Sequence, residues 1–121
     1  MDDPARARFL QTLVYFSNTV QTAYQQTYYP DRFVEDAADE PTAVQRGARR
    51  LRESWQVIED QIASGRWILG ERFSAADIYL YMLTTWLSEA KGHPELREFP
   101  NVARIAGAVA ERESVRKVYG A

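Results

Sequence analysis

Apolar side chains recur along this chain at helical spacing, and no segment shows the period-two alternation of a strand. Phe9, Leu13, Phe16, Val20 and Tyr24 form one stripe, widened by Leu10 and Val14. With Asp2-Asp3-Pro4 as cap and first turn, they predict a helix ending near Gln26. Tyr29-Pro30 breaks it, and Asp36 to Glu40 reads as an acidic loop. A second helix opens at Pro41, near Thr42, and carries Val44, Ala48, Leu51, Trp55, Ile58 and Ile62 on one face. Gly65 is placed to end it as a C′ glycine. Ile78-Tyr79-Leu80-Tyr81-Met82-Leu83, continued by Trp86 and Leu87, is apolar or aromatic on every side. That pattern predicts a central helix wrapped by the others, with Ile78 to Leu87 as the most buried segment. Gly92-His93-Pro94 is a stop. A last helix follows Pro100, with Val102, Ile105, Ala106, Val109 and Ala110 inward and Gly107 allowing a close neighbour. Ser114 is a candidate cap for a short terminal helix. The expectation is an all-α bundle of four to five helices, one domain over residues 1–121.

The start of the core helix is written in most detail. Ser74 is placed as N-cap, with Asp77 at N3 able to answer with its carboxylate: a capping box in which Asp replaces the commoner Glu or Gln. Phe73 before the cap and Ile78 at N4 are spaced for a hydrophobic staple. The four residues Phe73, Ser74, Asp77 and Ile78 are therefore read as structural, and Asp77 as a capping carboxylate rather than a catalytic acid.

Charge and composition narrow the function classes. A net charge of -2 leaves no electrostatic footprint for nucleic acid. Arg46, Arg49, Arg50 and Arg52 share their helix with Glu53, Glu59 and Asp60, so they read as a solvated face. There is no cysteine and a single histidine, His93, in a Gly-Pro turn. Thiolate chemistry is excluded, no metal site is expected, and His93 reads as structural. The chain opens with acid rather than an apolar leader, and the apolar run is too short to span a bilayer. Neither nucleic acid nor membrane is expected as a partner, and the default compartment is the cytoplasm. One surface is unusual. Between Arg8 and Asp31 no residue is charged, and Tyr15, Asn18, Gln21, Thr22 and Gln25 lie off the core stripe. Charge depletion with retained tyrosine is the composition of an interface, and a homodimer through this helix is the expected outcome.

The string Trp67-Ile68-Leu69-Gly70-x-x-Phe73-Ser74-x-Ala76-Asp77-Ile78-Tyr79-Leu80 resembles the signature of the all-helical C-terminal domain of cytosolic glutathione S-transferases, bacterial beta-class-like members above all. Phe99-Pro100-Asn101-Val102 resembles the opening of a late helix in that family; Arg112-Glu113-Ser114-Val115 keeps the Arg and Val of its Arg-Pro-x-Val but not the Pro. The family places its thiol-activating Tyr, Ser or Cys in a thioredoxin-like domain, and no residue here resembles that domain. The resemblance thus implies the helical, electrophile-binding half of such an enzyme, with no catalytic residue and no cofactor of its own. Glutathione would be co-substrate once a thioredoxin-like domain is supplied in cis or in trans, and a hydrophobic small molecule the other ligand. Its substrate-binding residues would be Gln21, Thr22, Tyr24, Tyr28 and Trp86; Gln21-Thr22 stands where beta-class-like members carry a His-Lys pair. Core packing accounts for the aromatic three equally well. The alternative is a stand-alone, non-catalytic interaction module with the same fold. Whether the chain is an enzyme stays open at this point.

Overall fold

The computed structural model describes residues 1–62 and 65–120. Among them all regular structure is helical, and the sole β-type pairings are two isolated bridges in the turn at 67–72.

The first helix is continuous but not uniform. Helix α1 (Asp3–Tyr15) starts under the Asp2 carboxylate, which accepts from the Ala5 N–H at 2.8 Å. A π turn follows over Phe16–Val20, closed by the Gln21 N–H bonding back to the Phe16 carbonyl, and leads directly into α2 (Gln21–Tyr28). The helical path therefore runs two residues beyond the expected Gln26, and the π turn carries no signature in the hydrophobic spacing. Phe16, Val20 and Tyr24 are buried as expected, with Phe9 and Leu13 packed against them. Leu10 and Val14 do not widen the stripe: they are 51% and 55% exposed. Burying that flank needs a further element beside α1, and none of the described residues supplies one.

Helix α3 (Glu40–Gln61) has Pro41 in its first turn. Its buried line is Ala43, Gly47, Leu51, Ser54, Trp55 and Ile58, so the N-terminal half is turned by one residue from the expected Val44 and Ala48. Gly47 is the reason. A Cβ there would stand 2.9 Å from Thr27 Cγ2 and 3.0 Å from Gln26 Cβ, so the missing side chain lets α2 lie directly on α3. Gly65 does not end this helix. The helix stops at Gln61, Ile62 is already extended, and Gly65 has no left-handed φ. Its hydrogen side chain instead admits Gly70, whose Cα would lie 2.7 Å from a Cβ at 65.

Helix α4 (Ala75–Thr84) buries Ala76, Asp77, Leu80, Leu83 and Thr84. It is not enclosed all round, contrary to the pattern: Ile78 is 45% exposed, Tyr79, Tyr81 and Met82 are half-buried, and Trp86 and Leu87 follow its end. Aromatic bulk on its outer positions marks surface that other groups partly cover rather than core. The most buried stretch is accordingly shared among the first helix, α3 and α5. Helix α5 (Pro100–Ala110) turns Val102, Ile105, Ala106 and Val109 inward, and its start rests on Glu59, whose carboxylate accepts from the Asn101 N–H (2.9 Å) and the Val102 N–H (3.0 Å). Gly107 meets open space, not a close neighbour. Helix α6 (Glu113–Tyr119) begins after Arg112, so Ser114 lies inside it and is no cap.

Ser74 and Asp77 bond reciprocally at the start of α4. The Ser74 N–H donates to Asp77 Oδ2 at 2.9 Å, and the Ser74 hydroxyl accepts from the Ala76 N–H at 3.2 Å. The other carboxylate oxygen, Oδ1, accepts from the Ile68 N–H at 2.9 Å. That bond reaches into the Trp67–Gly70 turn, where Gly70 sits at φ 83°. A single carboxylate thus holds the turn and the start of α4 together. Phe73 packs against the core, whereas Ile78 lies outside it. Phe73 packs edge-on against Trp67 (4.8 Å between centroids), with the Arg112 guanidinium 3.8 Å over its ring.

Candidate functional site

Two grooves flank α2. One, of about 500 Å³, lies between α2 and the end of α4 and is walled by Gln21, Tyr24, Gln25, Tyr28, Tyr29, Thr85 and Trp86. Four of the five predicted binding residues meet there: Gln21, Tyr24, Tyr28 and Trp86. The fifth does not. Thr22 turns to the opposite side of α2, into a second groove of about 420 Å³ that it shares with Tyr15, Asn18 and, from α3, Arg50, Glu53 and Ser54. Adjacent residues on a helix point about 100° apart, which is why a Gln-Thr pair cannot serve one face. Gln25, Tyr29 and Thr85 line the groove beyond those expected from the sequence. Gln25 stands one turn from Gln21, a spacing that could have flagged it.

The first groove is aromatic in its walls, and the hydroxyls of Tyr24 and Tyr28 are already committed. Tyr24 is fully buried; its hydroxyl donates to the Leu83 carbonyl at 2.5 Å and accepts from Trp55 Nε1 at 3.3 Å. Tyr28 donates to the Trp86 carbonyl. Both hydroxyls thereby bond carbonyls at or just past the C-terminal end of α4, where the Leu83 carbonyl also accepts from the Trp86 N–H at 3.2 Å. Burial pushes the Tyr24 phenol well above its ordinary value. What these residues offer the groove is ring surface rather than hydroxyl. Tyr24 meets Trp86 edge to face at 5.5 Å and stacks roughly parallel to Tyr28 at 6.4 Å.

Behind this wall sits His93, only 6% exposed. The Ser88 N–H donates to its Nδ1 at 2.9 Å, which makes Nδ1 an acceptor. Its Nε2 then carries the proton and donates to Thr27 Oγ1 at 2.7 Å, while the Thr27 hydroxyl passes its own proton to the Tyr24 carbonyl at 2.8 Å. The ring stands edge-on to both Tyr24 and Tyr28. His93 is therefore a neutral cross-link between α2 and the loop after α4. No sequence signal marks it beyond its being the sole histidine.

Burial, with the Lys91 charge adding to it, holds the His93 imidazole below its ordinary value of 6.5. A base with a depressed folded value gives stability that is full above the unfolded value and is lost as pH falls toward the folded one. The melting temperature should therefore drop between pH 7.5 and 5.5, and the drop should flatten in His93→Gln. Parallel pH slopes for the two proteins would show that the linkage lies elsewhere.

Among the described residues no group of acidic or histidine side chains is arranged to hold a metal ion, and no helix is long and apolar enough to cross a membrane. No curated protein matches the chain in sequence. A crystallised glutathione transferase homologue from Sulfitobacter, with bound glutathione, has the same fold: its TM-score is 0.87 at 23% identity, over 98% of this chain and 62% of that one. This chain thus spans less than two thirds of that protein's length. The sequence model of the glutathione S-transferase C-terminal domain matches residues 41–106, more than half of the chain. That stretch takes in α3, the Trp67–Gly70 turn, the Ser74–Asp77 cap and most of α5, the parts that build the core on which both grooves rest, and the chain belongs to the glutathione S-transferase C-terminal domain family.

Proposed function

We propose that this chain is the helical, electrophile-binding half of a cytoplasmic glutathione S-transferase, acting in glutathione conjugation together with a thioredoxin-like domain, in cis or in trans, that binds and activates the thiol. The observation that carries the reading is the groove of Tyr24, Tyr28, Tyr29 and Trp86, whose rings offer an apolar slot while the Tyr24 and Tyr28 hydroxyls are spent on backbone carbonyls. Such a slot binds an apolar substrate, and the Tyr24 and Tyr28 hydroxyls are not free to stabilise a thiolate. The exposed Leu10 and Val14, one turn apart on α1, are surface that an adjoining domain would cover. The chain by itself should bind a naphthalene-sized aromatic, read as quenching of Trp86 fluorescence against a Trp86→Phe control, and should neither bind glutathione at micromolar concentration nor conjugate it to an aryl halide. Tight glutathione binding by this chain, or no aromatic binding at all, would overturn the reading.

The second groove supports self-association. Tyr15, Asn18 and Thr22 line it without charge, and Arg50 and Glu53 stand one turn apart on its α3 side, an arrangement that can pair with its own copy across a two-fold axis. We expect a homodimer burying on the order of 1,200–2,000 Å². Tyr15→Glu should shift it toward monomer in light scattering, and Arg49→Glu, exposed and outside the groove, should not. A monomer at high micromolar wild-type concentration would refute the dimer.

A further inference from the structure

The aromatic groove has one polar wall whose orientation is fixed from outside it. Gln21 lines the groove, and Tyr79, on the half-buried side of α4, does not. The Tyr79 hydroxyl donates to Gln21 Oε1. A side-chain amide has one acceptor end and one donor end, so a bond that engages Oε1 from α4 leaves Nε2 as the end available to the groove. Nε2 has no partner among the described residues, whereas the Tyr24 and Tyr28 hydroxyls donate to carbonyls. The Tyr79 ring is itself held against Phe16, 5.2 Å between centroids, which is fully buried. The Gln25 amide also faces this groove but is exposed and makes no bond among the described residues, so it can turn either end inward.

We propose that Tyr79 is a positioning residue that locks the Gln21 amide with its N–H donors toward the groove, so that the site selects aromatic ligands bearing a hydrogen-bond acceptor, such as a carbonyl, nitro or sulfonyl group, over hydrocarbons of the same shape. The proposal rests on the groove being the electrophile site and narrows what that site takes. A ligand acceptor group is also what activates an aromatic ring toward attack by a thiolate, so the donor would sit at the end of the substrate where negative charge develops.

The test is an isosteric pair of inert probes, 2-acetylnaphthalene and 2-isopropylnaphthalene, titrated into the full chain and followed by Trp86 fluorescence. A hydrogen bond to a neutral acceptor is worth about 1 kcal/mol net, so the ketone should bind roughly fivefold more tightly than the hydrocarbon. In Tyr79→Phe, which keeps the ring on Phe16, the preference should fall to near unity while hydrocarbon affinity stays unchanged. Gln21→Met, which keeps length without a donor, should likewise bring the preference to near unity. A structural role alone would weaken both probes together and leave their ratio intact, and that result would overturn the positioning role. Equal affinities in the wild type would overturn the proposed selectivity while leaving the groove as binding site. Failure of both probes to bind would overturn the groove reading and this proposal with it.

Discussion

Asp77→Ala should be the most damaging single substitution at the start of the core helix, lowering stability by about 2–5 kcal/mol, against about 1 kcal/mol for Ser74→Ala. The difference follows from what each side chain satisfies. Ser74 Oγ accepts from one first-turn N–H. Asp77 accepts from the Ser74 N–H and from the buried Ile68 N–H, nine residues back. Truncation leaves both donors without a partner, each costing about 1–3 kcal/mol when shielded from water, and releases the Trp67–Gly70 turn from α4. Burial pushes the Asp77 carboxyl above its ordinary value against the pull of those bonds. Asp77→Asn, which removes the charge and keeps one acceptor, should therefore fall between wild type and Asp77→Ala. Chemical denaturation of the three variants checks the order. Equal losses for Ser74→Ala and Asp77→Ala would mean that the Ile68 bond contributes nothing.

Gly47→Leu should cost about 2–3 kcal/mol, although glycine is a poor helix former and its replacement inside an exposed helix is normally favourable. The Cβ alone would lie 2.9 Å from Thr27 Cγ2, with the Gln26 side chain at 3.0 Å, and the larger side chain has to drive α2 off α3. Because Thr27 carries the bond from His93, the same displacement reaches the groove wall. Gly107→Ala is the control. That position sits inside α5 with nothing within 4 Å of an added Cβ, so the substitution should gain about 0.5–1 kcal/mol. Thermal melts that move both variants in the same direction would remove the steric argument.

Helix periodicity, capping chemistry and the flanking glycine made the all-helical fold and its family readable from residues alone. What stayed hidden are facts of pairing between segments. The side on which α2 meets α3 depends on a glycine contact, and the spacing of Val44, Ala48 and Leu51 places the seam one residue away from where Gly47 puts it. Asp77 could be read as a cap because its partner lies three residues away, but not as the anchor of Ile68, because nothing in a spacing of nine requires a meeting. The apolar run of α4 looked like an enclosed core, yet Tyr79 is a half-buried amphipathic group bonded to Gln21, and Trp86 lines a groove. The groove residues were legible in so far as helix spacing places Gln21, Tyr24 and Tyr28 on neighbouring faces. Thr22 was grouped with Gln21 by adjacency, which on a helix separates side chains rather than joining them. His93 had no neighbours in sequence to suggest Thr27, 66 residues away.

The π turn at Phe16–Val20 decides which face the rest of the first helix presents. A π turn takes in one residue more than the α-helical turn it replaces, so everything after it is rotated relative to an uninterrupted α-helix. Tyr24 reaches Leu83, Thr27 reaches His93 and Tyr28 reaches Trp86 only in that rotated frame. Winding 16–20 as ordinary α-helix with the residue count unchanged would turn all three side chains away from their partners at once. Removing one residue there has the opposite outcome: the α-helical ladder closes and the helix beyond it keeps its orientation, because the π turn is how the extra residue is absorbed. Where relatives of this chain differ by one residue between Phe16 and Tyr24, the same groove can therefore be built with or without the π turn.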